Sequence, residues 1–444
     1  MQIANNRRSQ GGFTVVELIV TLFVVAEILV ASLILFDLHN ELARVQNNVA
    51  DMQQSLRGAQ REMVSTVRMA GRGGLPTQLG AGPAAGVPIS QTGLAVSVIN
   101  NAGSNVRAVA ADATTKVLPG TDILRIRGIF ETPIYQLSST ALGAEATLTL
   151  LPDPENPATA TSGSLVINNP SPTGVPQDLE FLSPQGVNPN PNLGRGLLLV
   201  SPLDDTIYAV VAITAIAENR VAGLLTSVTV TFSTSGHARS SDYRSLFSAA
   251  GNLPDNLRTV AFAGLLEDHI YYVREARAIP GDATSDLTPK LSRAEMFPGS
   301  NVALSTDLGR IEVADNVMDL QVALGYNSAQ AGYFTPAQSD ALVITETANG
   351  QSDDWLYNTS ADNHSASPWV SPWTVANPLP DLQYVRLTTL VRTDRRDFQY
   401  VAPPIQRIED RNYGETADPA TEANRLDRMF RRRLLQTVVD MRNL

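Results

Sequence analysis

The chain has 444 residues, 43% hydrophobic, 17% charged and 6% aromatic, with a net charge of −11 and no cysteine. That apolar fraction builds a core of one large or two to three small domains and excludes wholesale disorder, while the acidic balance disfavours the phosphate backbone as a primary partner, so no nucleic acid is expected. Without cysteine there is no disulfide, thiol nucleophile or thiolate metal site, and His39, His237, His269 and His364 are too scattered for a His-based zinc centre, so neither cofactor nor metal is expected.

Residues 1–12 are polar and carry Arg7 and Arg8; an apolar run, 13–36, follows, broken only by the charges of Glu17 and Glu27. As a helix this run spans roughly 36 Å, enough to cross a bilayer hydrocarbon core of about 30 Å. The two arginines hold the N-terminus in the cytoplasm and send the remainder outside the inner membrane. An ordinary secretory signal has a shorter apolar region that ends in a small-x-small site, for which Val30-Ala31-Ser32 is a poor match because more apolar residues follow. A plain anchor leaves Glu17 without a reason, since a carboxylate inside the bilayer costs roughly 2.5 kcal/mol or more. Glu17 is therefore expected to have a partner.

Gly11-Gly12-Phe13-Thr14-Val15-Val16-Glu17-Leu18 resembles the class III signal of type IV pilins and type II secretion pseudopilins. In that family a membrane-embedded aspartyl peptidase cuts after the glycine and methylates the new N-terminal phenylalanine, and a glutamate is fifth in the mature chain. The resemblance implies cleavage between Gly12 and Phe13, N-methylation of Phe13, and an assembly role for Glu17, with the prepilin peptidase as a partner. Glu27, deeper in the same run, is a second candidate assembly residue.

Beyond residue 36 the apolar side chains Leu38, Leu42, Val45, Val49, Met52, Leu56, Ala59, Met63, Val67 and Ala70 recur at spacings of three and four. This is one face of an amphipathic helix that continues the apolar run, about 85 Å in all from 13 to 70, with Gly71 and Gly73-Gly74-Leu75-Pro76 as stop signals. A coiled-coil seam would look similar over this length. The stretch 71–120, rich in Gly, Ala, Pro and Ser, reads as linker. Strand patterns follow at 124–127, 147–150, 196–200, 207–216, 228–232, 270–273, 320–324 and 385–390. Between 151 and 193 nine prolines mark a Pro/Asn-rich insertion expected to leave the sheet, because proline cannot donate to a ladder. Near the C-terminus a short helix is expected over 425–433 and a strand over 435–441, with Thr437, Val439 and Met441 on one face.

The expected organisation is a leader (1–12), a transmembrane half (13–36) and an amphipathic half (37–70) of one helix, a linker (71–120), and a β-rich domain (121–444) containing the insertion 151–193. The fold class is α+β: a long N-terminal α-helix packed on a mostly antiparallel β-sheet domain with long loops, pilin-like.

Val67-Arg68-Met69-Ala70-Gly71, Asp122-Ile123-Leu124-Arg125-Ile126-Arg127, Val317-Met318-Asp319-Leu320-Gln321-Val322 with Gly325-Tyr326, and the terminal Thr437-Val438-Val439-Asp440-Met441-Arg442-Asn443-Leu444 together resemble the PilW family of minor pilins, related to the J-type minor pseudopilins. The order of these pieces along the chain carries the resemblance more than any one of them; the insertion and the missing cysteines depart from the pattern. It implies a non-catalytic subunit that helps initiate or cap a type IV pilus or a type II secretion pseudopilus. Its partners would be other minor and major pilins or pseudopilins, and it would be a single-pass inner-membrane protein with an extracytoplasmic domain. Two other functions compete: a tip adhesin or DNA-uptake pilin, and a membrane-tethered enzyme whose site has no recognisable motif. No Walker-type loop and no Gly-x-Ser-x-Gly elbow is present. Asp353, Asp354, Asn358, Asp362 and Asn363 match no EF-hand spacing and read as a solvated loop rather than a calcium site. Arg425, Arg428, Arg431, Arg432 and Arg433 read as a solvated or salt-bridged face rather than a DNA contact, and Trp355, Trp369 and Trp373 as local packing.

Overall fold

The computed structural model describes residues 14–75, 95–103, 117–137, 148–151, 162–171, 173–200, 208–233, 260–277, 284, 287–297, 310–326, 354–357, 382–416 and 421–441. Its first element is a single helix, α1 (Val15–Arg68), unbroken from the apolar run into the amphipathic stretch. The periodic face is buried from Met52 through Leu56, Ala59, Met63 and Val67 to Ala70, while Leu38 and Leu42 stay 55% and 53% exposed. Two polar side chains on this face find partners in the sheets. Gln60 donates to the Thr389 hydroxyl at 2.9 Å, and the Thr66 hydroxyl lies 2.8 Å from that of Tyr271.

The helix ends in a turn laid directly on the sheet. Gly71 has a φ of +78°, and a Cβ there would meet the Leu75 carbonyl oxygen at 2.4 Å, so only glycine fits. Its N–H donates to the Arg127 carbonyl at 2.8 Å, and Ile129 N–H donates to Arg72 at 2.8 Å. The helix exit is thereby tied to the end of a central strand.

Three antiparallel sheets receive the helix and one another. The five-stranded sheet has the order β1 (Val96–Ile99), β2 (Ile123–Gly128), β10 (Glu267–Arg277), β11 (Leu287–Met296), β12 (Arg310–Asp315). The four-stranded sheet runs β14 (Asp354–Leu356), β13 (Val317–Tyr326), β15 (Leu382–Arg392), β18 (Arg432–Asp440). The seven-stranded sheet runs β3 (Ile134–Gln136), β9 (Phe262–Leu265), β6 (Gly196–Val200), β7 (Tyr208–Val221), β8 (Leu224–Ser233), β5 (Ser162–Asn168), β4 (Leu148–Leu151). A hairpin, β16 (Arg407–Ile408) and β17 (Arg411–Asn412), completes the β structure among the described residues. The α+β class expected from the sequence is thus the one the chain adopts.

The chain changes sheets at short, chemically specific joints. Between β12 and β13 stands Asn316 alone, at φ +59°, a conformation that asparagine tolerates better than other side-chain-bearing residues. At the passage from β2 to β3 the buried Glu267 carboxylate accepts from the N–H groups of Phe130 (3.0 Å), Glu131 (3.0 Å) and Thr132 (2.8 Å) and from the Thr132 hydroxyl (2.8 Å). The alternation of β6 explains its unbroken apolar sequence. Leu198 and Val200 join the core under α1, whereas Leu197 and Leu199 join a second core on the opposite face of the seven-stranded sheet.

Several expectations need correction. The stretch 71–120 is not linker throughout, since β1 lies within it and pairs with β2. Within the insertion 151–193, Ser162–Asn168 is a strand between β4 and β8. It contains no proline, so its N–H groups are free to pair. The described residues after it, 169–171 and 173–193, do leave the sheet as expected but pack back on it: Leu179 and Leu182 are buried in the second core, and the Asn192 amide donates to the Phe181 and Leu182 carbonyls at 2.8 Å each. At the C-terminus the helix is α2 (Glu422–Asp427), three residues earlier than expected, because the Thr421 hydroxyl caps it by accepting from Asn424 N–H. The strand starts at Arg432 rather than 435, with Thr437 and Val439 turned inward on one face as expected, followed by the buried Met441.

Candidate functional site

The first turns of α1 form the candidate assembly site. Thr14 is the N-cap in extended conformation, its hydroxyl accepting from Glu17 N–H at 3.3 Å; the Glu17 carboxylate reaches back to Thr14 N–H at 3.0 Å and to the Thr14 hydroxyl at 3.1 Å. This reciprocal capping box satisfies N–H groups that a helix start otherwise leaves open. Glu17 therefore has a local structural task in the isolated chain, which the sequence motif did not disclose, although the Thr-x-x-Glu spacing that signals it was present. Gly12 and Phe13 lie outside the described residues.

Every large apolar side chain from Val15 to Phe36 faces outward, from 46% exposed at Val24 to 72% at Val15, so this half of the helix packs on nothing in its own chain. Its hydroxyls are satisfied along the helix: Thr21 donates to the Glu17 carbonyl at 2.6 Å and Ser32 to the Ile28 carbonyl at 2.7 Å. With its hydroxyls paired internally and an exterior apolar but for Glu17 and Glu27, the helix is long and apolar enough to cross a membrane. Glu27 is exposed on this segment. It lies ten residues beyond Glu17, about 15 Å along the axis and rotated by roughly 80°.

Sequence reasoning missed a second polar feature, a buried carboxylate cluster that holds the hairpin β16–β17 against the sheets. Asp122 accepts from the N–H groups of Asn101 (2.8 Å) and Val322 (2.7 Å). Asp319 accepts from Arg411 (2.8 Å), Gln321 (2.9 Å) and the Tyr413 hydroxyl. Asp410 accepts from the amides of Asn100 (2.6 Å) and Asn101 (2.7 Å). Burial raises the Asp122 carboxyl well above its usual range, helped by the charge of Asp410, and pushes Asp410 up to about 6 against its amide hydrogen bonds. Burial also outweighs Arg411, Tyr413 and Gln321 at Asp319, leaving it raised. Each carboxylate is committed to backbone or side-chain donors, which is the arrangement of a structural latch. An aspartate inside an apolar strand pattern, as in Val317-Met318-Asp319-Leu320, was the available sign.

Four of the five C-terminal arginines are ion-paired or bonded to carbonyls and Arg433 is exposed on β18, as expected of a solvated or salt-bridged segment, but they do not share one helix face. Arg425 pairs with Glu422 (2.6 Å), Arg431 with Asp397 (2.8 Å), and Arg432 with Glu415 (2.7 Å) and Asp427; Arg428 donates to the Ala402 (2.6 Å) and Thr416 (2.8 Å) carbonyls. Of the expected loop and tryptophan clusters, Asp354 and Trp355 lie on the backbone of β14, and Asp353, Asn358, Asp362, Asn363, Trp369 and Trp373 lie outside the described residues.

No family model and no curated protein matches the chain. Among solved structures, a type IV-like pilin from Thermus thermophilus aligns at 11% identity over 57% of this chain and 86% of its own, with a TM-score of 0.16. A likeness that low carries neither fold nor function across.

Proposed function

We propose that the chain is a minor pilin or pseudopilin: a non-catalytic subunit, held in the inner membrane by α1, that is cut between Gly12 and Phe13, N-methylated at Phe13, and taken into a type IV pilus or type II secretion pseudopilus to initiate or cap it. One observation carries this reading. The motif that resembles a class III signal stands at the head of a single 54-residue helix whose first half is largely apolar and uncovered and which from Met52 on enters the core of a β-rich domain. An ordinary anchor needs no such rigid continuity, whereas a subunit that stacks its first helix half among neighbours and carries a domain outside does. In the family that the motif resembles, the mature chain starts at the phenylalanine and its fifth residue, here Glu17, faces the N-terminal amine of an adjacent subunit. Glycine before the cut, with no Cβ, lets the peptidase approach closely. Mass spectrometry of the mature N-terminus is the direct test, with methylated Phe13 as the expected first residue. Gly12→Val should leave full-length precursor in the membrane; normal processing of that variant would remove the basis of the proposal.

A further inference from the structure

The loop that follows β15 lies where α1 leaves the apolar run. Residues 392–399 share a cleft of about 940 Å³ with Glu41, Arg44, Val45 and Asn48 of the helix. The helix is only partly covered there: Leu38 and Leu42 are more than half exposed, Glu41, Val45 and Asn48 are half-buried, and its first buried side chain is Met52. Residues 41–48 stand roughly 8–18 Å beyond residue 36 along the axis. The headgroup layer fills about 5–8 Å on each side of the hydrocarbon, and helix tilt lowers one side of the domain further. The loop thus hangs within side-chain reach of the membrane surface, on the reading that 13–36 spans the bilayer.

Its composition suits that position. Phe398 is 75% exposed, more than any other large hydrophobic side chain among the described residues, and Val401 is 52% exposed. Arg395 and Arg396 are exposed and make no ion pair among the described residues. Of the neighbouring acids, Asp397 pairs with Arg431 at 2.8 Å, Asp427 pairs with Arg432 and, at 3.4 Å, with Arg392, and the charge of Asp394 acts on Arg392, while Glu41 stands across the cleft. Arg396 also lies over the Phe430 ring, 5.4 Å from its centroid, which leaves its charge open to an anion. An exposed aromatic beside guanidinium groups outside any ion pair is what anchors a protein at a water–lipid boundary, the ring in the interfacial layer and the cations on phosphate.

We propose that loop 393–401 docks on an anionic phospholipid surface, with Arg395 and Arg396 on headgroup phosphates and Phe398 and Val401 in the interfacial layer. The domain is thereby held down against the bilayer until the subunit is withdrawn into a filament. Because the chain lacks cysteine, single spin labels can be placed by I34C in the apolar run, Q399C beside Phe398, and V221C on the β7–β8 hairpin as reference. Full-length protein is reconstituted in vesicles, and the collision of each label with oxygen and with an aqueous nickel chelate is measured. In phosphatidylglycerol vesicles the label at 399 should lose most of its nickel collisions relative to 221. Zwitterionic phosphatidylcholine, or the variant R395E/R396E, should restore them, since each arginine contributes roughly fivefold to partitioning onto an anionic surface. The label at 34 should stay in hydrocarbon throughout. Equal accessibility at 399 and 221 in both lipids, with 34 in hydrocarbon, would overturn the docking proposal. An aqueous label at 34 would instead overturn the membrane-spanning reading beneath it. Shielding at 399 that ignores lipid charge and grows with protein density would assign the cleft to another protein chain, and also defeats the proposal.

Discussion

At the residue scale, the cluster of Asp122, Asp319 and Asp410 shows what it takes to keep carboxylates inside a β structure. Each meets at least two donors, and the donors come from segments far apart in sequence, so the aspartates join β1, β2, β13 and the hairpin β16–β17. The joint has a pH signature whose sign follows from linkage. Burial raises Asp410 from the usual 3.8 to about 6, so the folded protein binds this proton more tightly than the unfolded chain does. The stabilisation from Asp410 is therefore complete at low pH and is lost as the pH rises from about 4 through 6, by on the order of 3 kcal/mol. Asp410→Asn keeps an oxygen that can accept from Asn100 and Asn101 but cannot ionise. The expected result is a difference in melting temperature between variant and parent that is small at pH 4 and favours the variant at pH 8. A difference independent of pH would mean that Asp410 titrates as an ordinary carboxyl.

At the scale of elements, β18 closes the four-stranded sheet by pairing with β15 alone over nine positions, and it places Val439, with Met441 just after it, in the core beneath α1. Ending the chain before Gln436 removes both side chains and half of the pairing. The expected cost is roughly 3–6 kcal/mol from the two lost burials, read as a clear fall in the melting temperature of the full-length protein in detergent. An unchanged melting temperature would reduce the segment to a dispensable tail. This strand was legible in the sequence because Thr437, Val438 and Val439 are β-branched, and α1 because its three-four spacing persists for many turns. Other elements gave no such pattern. In β11 the strand residues Lys290 and Arg293, on opposite faces, are cations paired with Glu312 (2.8 Å) and Glu62 (3.0 Å), and Pro289 is a residue type that strands disfavour. β1, β3 and β9 are only three or four residues long and owe their existence to neighbours supplied by topology. The sites divide in the same way. Glu17 could be found because its neighbours in sequence are its neighbours in space, whereas the aspartate latch and the loop beside residues 41–48 are assembled by the fold from distant segments.

At the scale of the whole molecule, one rigid rod carries two exposed carboxylates at its free end and a domain at the other, and the two charges need not serve the same neighbour. Glu17 closes its own capping box, so Glu17→Ala removes both a charge and a cap, the latter at a cost of about 1 kcal/mol. Glu17→Gln separates the two, because glutamine at this position still closes the box. It should insert and hold its helix as the parent does, yet fail to recruit partner subunits if the charge is what they meet. Glu27 lies about 15 Å further along the rod and points roughly 80° away, so it cannot reach the same amine. Its depth also makes snorkelling to water difficult, so an ionised carboxylate there needs a second subunit or a proton. If a subunit faces it, Glu27→Gln should leave membrane insertion and most partners intact and lose one partner on co-purification, and the missing partner identifies the neighbour on that face. Undiminished recovery of every partner would mean that Glu27 is a protonated or hydrated group with no assembly role, leaving Glu17 as the sole charged contact proposed for the apolar half of the helix.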